Sequence, residues 1–250
     1  MSLSAAAASS SAAQFKPGPA IIELRRVQLR NGTEVQRTND FFGKHFLPAA
    51  QRAGIGPMGF FSAVIAEKSP FLLAVLSYPS LAAMETANEK LASDKEFSKA
   101  FDDYNSLTEL SYDRMESSLL RAFRTTPRIE VPDSSGRKSP RIFELRTYES
   151  NNLKAGHRKI EMFNDDEIRV FRKTGLLPVF FGETIVGQNM PNLTYMVAFD
   201  SLAAREQNWS RFASDPEWQK LRSKPELADV LIVSNISNAI LRPLPFSPIR

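Results

Sequence analysis

Several side chains in the second half of this chain could do chemistry together. In Ile142-Phe143-Glu144-Leu145-Arg146-Thr147-Tyr148, strand alternation puts Glu144, Arg146 and Tyr148 on one face. Phe143, Leu145 and Thr147 take the other. An arginine there could grip an anion, and a tyrosine could donate a proton or a hydrogen bond. Glu183, in the next strand, adds a candidate general base or a partner for Arg146. In the first half Glu23 and Arg25 share a face, and Val27 stands where the second half has Tyr148. The candidate catalytic residues are therefore Arg146, Tyr148 and Glu183, with Glu23, Arg25, Glu144 and Tyr195 lining a cavity. Each has a plainer reading. The Glu-Arg pairs could be an ion-pair lattice that fixes sheet register, because a charge buried there must be paired or hydrated. Glu183 could be a solvated strand residue, and Tyr195 an amphipathic core residue.

The rest of the chemical inventory is short. The chain has no cysteine, which removes disulfides, thiolate metal sites and thiol nucleophiles. Its two histidines, His45 and His157, rule out a histidine-rich metal cluster within one chain, and neither falls on a strand expected to face an interior. Neither a metal nor a cofactor is expected. The net charge of +4 is scattered, so no basic face suits nucleic acid. No apolar run approaches the ~20 residues of a membrane helix. Phosphate-cradling glycine loops, dinucleotide fingerprints and nucleophile-elbow serines are missing.

What positions the candidates is an internal repeat. Ile21-Ile22-Glu23-Leu24-Arg25 returns as Ile142-Phe143-Glu144-Leu145-Arg146, and the same shift of 121 carries Gly54 to Gly175, Pro57 to Pro178 and Ser80 to Ser201. From 21 to 121, 25 of 101 positions are identical without a gap, so the chain is two copies of one module. Within a copy the order is strand, helix, strand, strand, helix, strand. Thr33 is a candidate cap for the first helix, Gly54 and Gly175 stop the first helices, and Ser80 and Ser201 cap the second ones. This βαββαβ order is the split βαβ, or ferredoxin-like, plait. The expected division is an Ala/Ser-rich disordered tail at 1–19, a first domain at 20–124, a Pro-rich linker at 125–139 and a second domain at 140–250. The closing stretch from Pro243 is expected to lie extended over the surface. The tail also has the small residues of a secretory signal remnant, so export and a cytoplasmic location stay equally open.

A plait has helices on one sheet face and leaves the other bare, and a bare apolar face needs a cover. Two linked copies solve this by pressing their open faces together into a closed α+β barrel with helices outside. On this arrangement the Phe/Leu face is expected to pack on the helices, and the Glu-Arg-Tyr face to line the space between the sheets. Val27 against Tyr148, Ser62 against Glu183 and Ala74 against Tyr195 put the larger polar group in copy two. That points to an asymmetric cavity built around copy two.

The opening strand Phe143–Tyr148, the segment Thr174-Gly175-Leu176-Leu177-Pro178, the run Tyr195 to Leu202, and Trp209 with Ser214-Asp215-Pro216-Glu217-Trp218 resemble the NIPSNAP family. Copy two is the closer match. Copy one departs at Pro79, Asn88, Lys95 and Phe97, where copy two has Asp200, Trp209, Pro216 and Trp218; the two tryptophans read as packing anchors. The resemblance implies a dimeric α/β barrel, formed here within one chain. It also implies no defined biochemical activity. The expectation is a small, partly apolar molecule bound between the two sheets, with cofactor-independent chemistry by Arg146, Tyr148 and Glu183. The alternative is a non-enzymatic interaction module that assembles with itself, as a homo-oligomer, or with another protein.

Overall fold

Alternating apolar residues and well-placed helix ends build the same unit twice. The computed structural model describes residues 18–106 and 108–250; the tail expected at 1–19 lies outside the described residues as far as residue 17, and its export reading with it. Copy one comprises β1 (Ile21–Gln28), α1 (Thr33–Phe41), a π-helical turn (Phe42–Phe46), α2 (Leu47–Ala53), β2 (Met58–Ile65), β3 (Phe71–Tyr78), α3 (Leu81–Ser93), α4 (Lys95–Tyr104) and β4 (Arg114–Ala122). Copy two comprises β5 (Ile142–Glu149), α5 (Leu153–Met162), a second π turn (Phe163–Glu167), α6 (Ile168–Lys173), β6 (Leu177–Val186), β7 (Asn192–Phe199), α7 (Leu202–Ser214), α8 (Pro216–Arg222), a short 3-10 turn (Pro225–Leu227), α9 (Asp229–Ile232) and β8 (Asn235–Pro243).

The strands form one closed barrel in the order β1-β3-β2-β8-β5-β7-β6-β4. Each half contributes four antiparallel strands, with β1 between β3 and β4, and β5 between β7 and β8. The halves are joined edge to edge: Ser62 pairs with Arg242 on one seam, and Leu120 with Thr184 on the other. Closure leaves neither sheet an open edge that could template pairing with another chain. The expected α+β barrel of two tandem plaits is the fold observed.

The assignment of strand faces is the reverse of that expected. Ile22, Leu73, Val75, Leu120, Phe143, Phe180, Met196, Ala198 and Leu241 meet inside the barrel, joined by Leu24 and Leu145. Phe61 and Phe143, from different halves, pack edge-on at 4.9 Å between centroids. The Phe/Leu face therefore lines the space between the sheets, and Glu23, Arg25, Glu144, Arg146 and Tyr148 point outward under the helices. The physical reason is that eight strands enclose an interior just wide enough for side chains to fill. An ion pair placed there would have no water and few partners.

Each half carries its helices over a second apolar layer, with Phe42, Phe46 and Phe60 central in copy one and Phe163, Phe171 and Phe181 in copy two. The first helix of each copy is interrupted by a π turn, and the shift of 121 superposes Phe42–Phe46 on Phe163–Glu167. Both helices stop at the expected glycines, with φ of 87° at Gly54 and 88° at Gly175, a conformation that glycine alone adopts freely. Ser80 and Ser201 accept the expected capping hydrogen bonds from Ala83 and Ala204. The second helix of each copy is split in two, and Asp94 and Asp215 cap the later segments. Thr33 is not a cap: Gly32 precedes the helix, and no side chain closes its end.

The closing stretch is also not a surface strand. Leu244, Ser247 and Ile249 are buried. Leu244 donates its backbone N–H to the Phe60 carbonyl at 2.8 Å, and Ser247 Oγ accepts from Phe60 N at 2.9 Å. In the mirrored position Phe123 donates to the Phe181 carbonyl at 2.9 Å. Each copy thus ends in an arm laid into the other copy's core, so that Leu244 belongs to the helix layer of copy one and Phe123 to that of copy two. The prolines interrupt helix and strand here without excluding burial. Ile249→Ala should destabilise the protein by about 2–5 kcal/mol, the cost of a buried aliphatic truncation, measured by urea unfolding. A loss within the few tenths expected of a surface tail would contradict this placement.

Candidate functional site

Under the helices of copy one, a carboxylate holds an arginine in place. Glu23 is 2% exposed. Its Oε1 accepts from Arg25 Nε at 2.8 Å and Ser117 Oγ at 2.8 Å, and its Oε2 from Arg25 Nη2 at 3.2 Å and Tyr78 Oη at 3.0 Å. Strand geometry makes this possible: Glu23 and Arg25 are two apart on β1, and Tyr78 and Ser117 come from the flanking β3 and β4. Burial and the neighbouring carboxylate push the Tyr78 phenol up, so it remains a donor at neutral pH. Arg25 lies 5.7 Å from the centre of the Phe46 ring in the π turn. Its Nη1 has no protein partner among the described residues.

Copy two elaborates the same base. Glu144 accepts from Arg146 Nη1 at 2.9 Å, Arg205 Nη2 at 2.7 Å and Nε at 2.8 Å, Trp209 Nε1 at 2.7 Å and Asn238 Nδ2 at 3.0 Å. Burial alone would push the Glu144 carboxyl up, but the hydrogen bonds from Arg205, Asn238 and Trp209 and the charge of Arg146 hold it below the usual carboxylate range. Arg146 is enclosed, with Tyr148 Oη at 3.2 Å and the Trp209 ring at 4.8 Å. Tyr195 packs on Tyr148 and Phe181. Behind them Lys159 and Glu167, each 2% exposed at the side chain, form a buried ion pair at 3.3 Å. Tyr148, Phe163 and Trp218 surround the ammonium at 5.4, 5.1 and 5.8 Å.

The difference between the copies is one of volume, and it opens space in copy one. At the positions of Tyr148, Tyr195 and Trp209, copy one has Val27, Ala74 and Asn88. A cavity of about 510 Å³ lies beside Val27 and Asn88, within the usual range for small-molecule sites. Its walls are Phe41, Phe42, Phe46, Leu91 and Tyr104, all buried, and Arg25 and Val27 come from the strand beneath. Phe101 and Met115, 47% and 51% exposed, stand at the rim with Asp102. The larger groups of copy two do not build a cavity around that half; they occupy the equivalent space. Because they point at the helices, extra bulk fills the helix–sheet gap.

Of the residues singled out from sequence, Arg25 lines the cavity and Glu23 holds it from behind. Glu144, Arg146, Tyr148 and Tyr195 come together as one buried network, on the opposite face from that expected. Glu183 stands apart from Arg146; its ion-pair partner is His157 Nε2 on α5, at 3.6 Å. Trp209 and Trp218 pack as anchors, and Trp209 also donates to Glu144. Sequence reasoning missed Phe41, Phe46, Phe97, Phe101 and Tyr104 as lining groups. The signal was present in the substitution of Asn88 for Trp209, but it acquires meaning only once the faces are assigned.

Comparison with known proteins follows the repeat. The NIPSNAP family model matches residues 22–127 and again 143–248. No curated protein matches the chain in sequence. Among solved structures, the chain is similar to a candidate monooxygenase from Lactobacillus acidophilus NCFM, 9% identical with a TM-score of 0.60, covering 90% of this chain and 94% of that one. It is also similar to an anthrone oxidase-like protein, 7% identical with a TM-score of 0.52, covering 90% and 92%. A NIPSNAP family protein of unknown function from Agrobacterium tumefaciens strain C58 is 23% identical with a TM-score of 0.40, covering 46% of this chain and 97% of that one. At 9% and 7% identity, the likeness to the first two is one of fold alone.

Two buried carboxylates of copy two, Glu144 and Glu167, have opposite pH signatures. Glu144 is held below its ordinary value of 4.5, so its contribution to stability is complete above that value and is lost as pH falls through the folded one. Burial pushes the Glu167 carboxyl up from 4.5 against the pull of Lys159, so its contribution is present below that value and lost as pH rises through the folded one. Glu144→Gln leaves Arg146 without its counter-charge and Arg205 with Glu206 alone, and should cost about 3–5 kcal/mol at neutral pH. In urea titrations this deficit should shrink as pH falls below 4.5, whereas Glu167→Gln should flatten the decline above it. A Glu144→Gln deficit constant across the titration would contradict the assignment.

Proposed function

The chain belongs to the NIPSNAP family, in two tandem copies, and from that premise we propose that it binds a small, largely apolar molecule, with the helix–sheet pocket of copy one as the site. The observation that carries this reading is the about 510 Å³ cavity with Arg25 at its floor, in the one copy where Val27, Ala74 and Asn88 replace three large aromatic residues. A pocket of that size, walled by aromatic rings and holding few polar groups, has the make-up of a ligand site. The space between the sheets, filled by Phe61, Phe143 and Phe180, is set aside as the binding place.

The role proposed is binding and orientation. Arg25 is a fixed donor, held by Glu23, and Tyr104, which lines the wall with Tyr112, is already hydrogen-bonded to Thr38 at 2.9 Å. Arg146 and Tyr148 are committed to the buried network of copy two, which supports a holding role there over proton transfer to a ligand. Glu183 lies near His157 and is not part of either base. The interaction-module reading draws on Val230 and Leu231, which are 80% and 57% exposed beside the closing strand, and it makes no use of the pocket.

Copying the residues of copy two into copy one provides the test. Asn88→Trp places an indole over the cavity, as Trp209 lies over Arg146, and Val27→Tyr fills its floor. Asn88 is exposed, so its replacement should leave the fold intact. Titration with the neutral fluorophore N-phenylnaphthylamine should show binding to the wild type and affinity weakened at least roughly tenfold in either variant. Equal binding by all three proteins would place the dye elsewhere and remove the support for this site.

A further inference from the structure

We propose that the copy-one pocket selects neutral aromatic molecules bearing one hydrogen-bond-accepting oxygen, such as an aryl ketone, over carboxylates, amines and hydrocarbons of the same shape. The proposal rests on the reading of that pocket as a ligand site and concerns what the site takes.

Charge accounting favours this class. Arg25 is the cation at the floor, and its charge is matched by Glu23, which is 2% exposed and whose two oxygens are filled by Arg25, Ser117 and Tyr78. The floor therefore offers directed donors with no net charge. In copy two one carboxylate serves two arginines, Arg146 and Arg205; the residue of copy one that matches Arg205 is Met84, so the second cation that could balance an incoming anion is missing. At the rim the exposed Asp102 repels an anion again. A cation would find Asp102 and the aromatic rings at the mouth but would meet the Arg25 guanidinium at the floor. The remaining polar side chains of the wall, Asn88, Ser98, Tyr104, Asn105 and Tyr112, are of uncharged types.

The same accounting separates ketone from hydrocarbon. Arg25 uses Nε and Nη2 on Glu23, and Nη1 has no protein partner among the described residues. A ligand seated on the floor without an acceptor takes water from that nitrogen and gives nothing back, which is costly for a charged donor. An acceptor oxygen at that end supplies the missing bond, and a hydrogen bond to a charged group is worth roughly ten- to a hundredfold in affinity. The orientation follows: oxygen down on Arg25, aromatic body between Phe42, Phe46 and Leu91.

The test uses the full chain and the fluorescent naphthyl ketone prodan, displaced by four naphthalenes substituted at the same ring position: acetylnaphthalene, ethylnaphthalene, naphthoate and naphthylmethyl-trimethylammonium. Acetylnaphthalene should displace the dye at roughly tenfold lower concentration than each of the others. In the double variant Glu23→Gln/Arg25→Met, which removes both charges together and is checked for folding by its thermal transition, acetylnaphthalene should fall to the level of ethylnaphthalene. Naphthoate matching or exceeding the ketone would overturn the proposal, as would a ketone advantage that survives in the double variant. If all four compounds compete equally and Asn88→Trp abolishes their binding, the pocket reading stands and the selectivity fails. If none binds to the wild type, the pocket reading falls and takes this proposal with it.

Discussion

Eight strands closed on themselves enclose an interior whose centre is filled by apolar side chains, and that constraint decides where Glu23, Arg25, Glu144 and Arg146 go. The centre of the interior is packed with apolar groups, so Ile22, Leu24, Phe143 and Leu145 turn inward, while Arg26 and Thr147 on the same face lie toward the strand ends and find their own partners. Alternation along a strand then forces Glu23, Arg25, Glu144 and Arg146 outward. Outward is not solvent here, because helices cover that face. A carboxylate caught beneath a helix layer must collect donors or destabilise the fold. Glu23 collects them from neighbouring strands, and Glu144 also from the helix above. The polar base of each half is thus a consequence of barrel closure before it is a device for anything else.

On that shared base the two copies diverge. In copy two Tyr148, Tyr195 and Trp209 fill the helix–sheet gap, and the buried Lys159–Glu167 pair extends the network into the π turn. In copy one the same turn presents Phe46 to the guanidinium of Arg25. π turns place one extra residue in the ladder and shift the side chains that follow; they recur at sites where a helix must aim a particular group. Their occurrence at the same repeat position, one aiming a carboxylate and the other a ring, ties the helix irregularity to the floor beneath it.

The architecture was legible in the sequence because it rests on local signals and on duplication. The offset of 121, the serine caps at Ser80 and Ser201 and the glycine stops at Gly54 and Gly175 each report a local backbone requirement. The orientation of the strands was not legible. In a plait whose two faces are both covered, a strand such as Phe71–Tyr78 is buried along its whole length and has no alternation to show which side is which. Glu23 and Arg25 alternate with Ile22 and Leu24 in the same way whichever face meets the helices. The site inherited that ambiguity. Val27, Ala74 and Asn88 were recognisable as the smaller partners of Tyr148, Tyr195 and Trp209, but whether small means open depends on three elements meeting at one place. The burial of the closing arm was not legible for a related reason: its prolines exclude regular structure, and irregular structure is more often superficial than buried.

Fusion of the copies explains how one half can stay open. Removing a large aromatic side chain from a packed layer costs about 3–5 kcal/mol, a substantial part of the about 5–15 kcal/mol by which a domain is stable. A symmetric assembly of separate chains would incur that loss in both halves at once. In the single chain it falls on one half, while the filled layer of copy two stabilises the barrel they share. The exchanged arms strengthen the link. Phe123 completes the core of copy two, and Leu244 and Phe246 pack into that of copy one, so neither half can unfold without stripping core residues from the other. The open half is held by a barrel closed at both seams and by the filled helix layer of copy two, which leaves its floor and walls free to be shaped by what they hold.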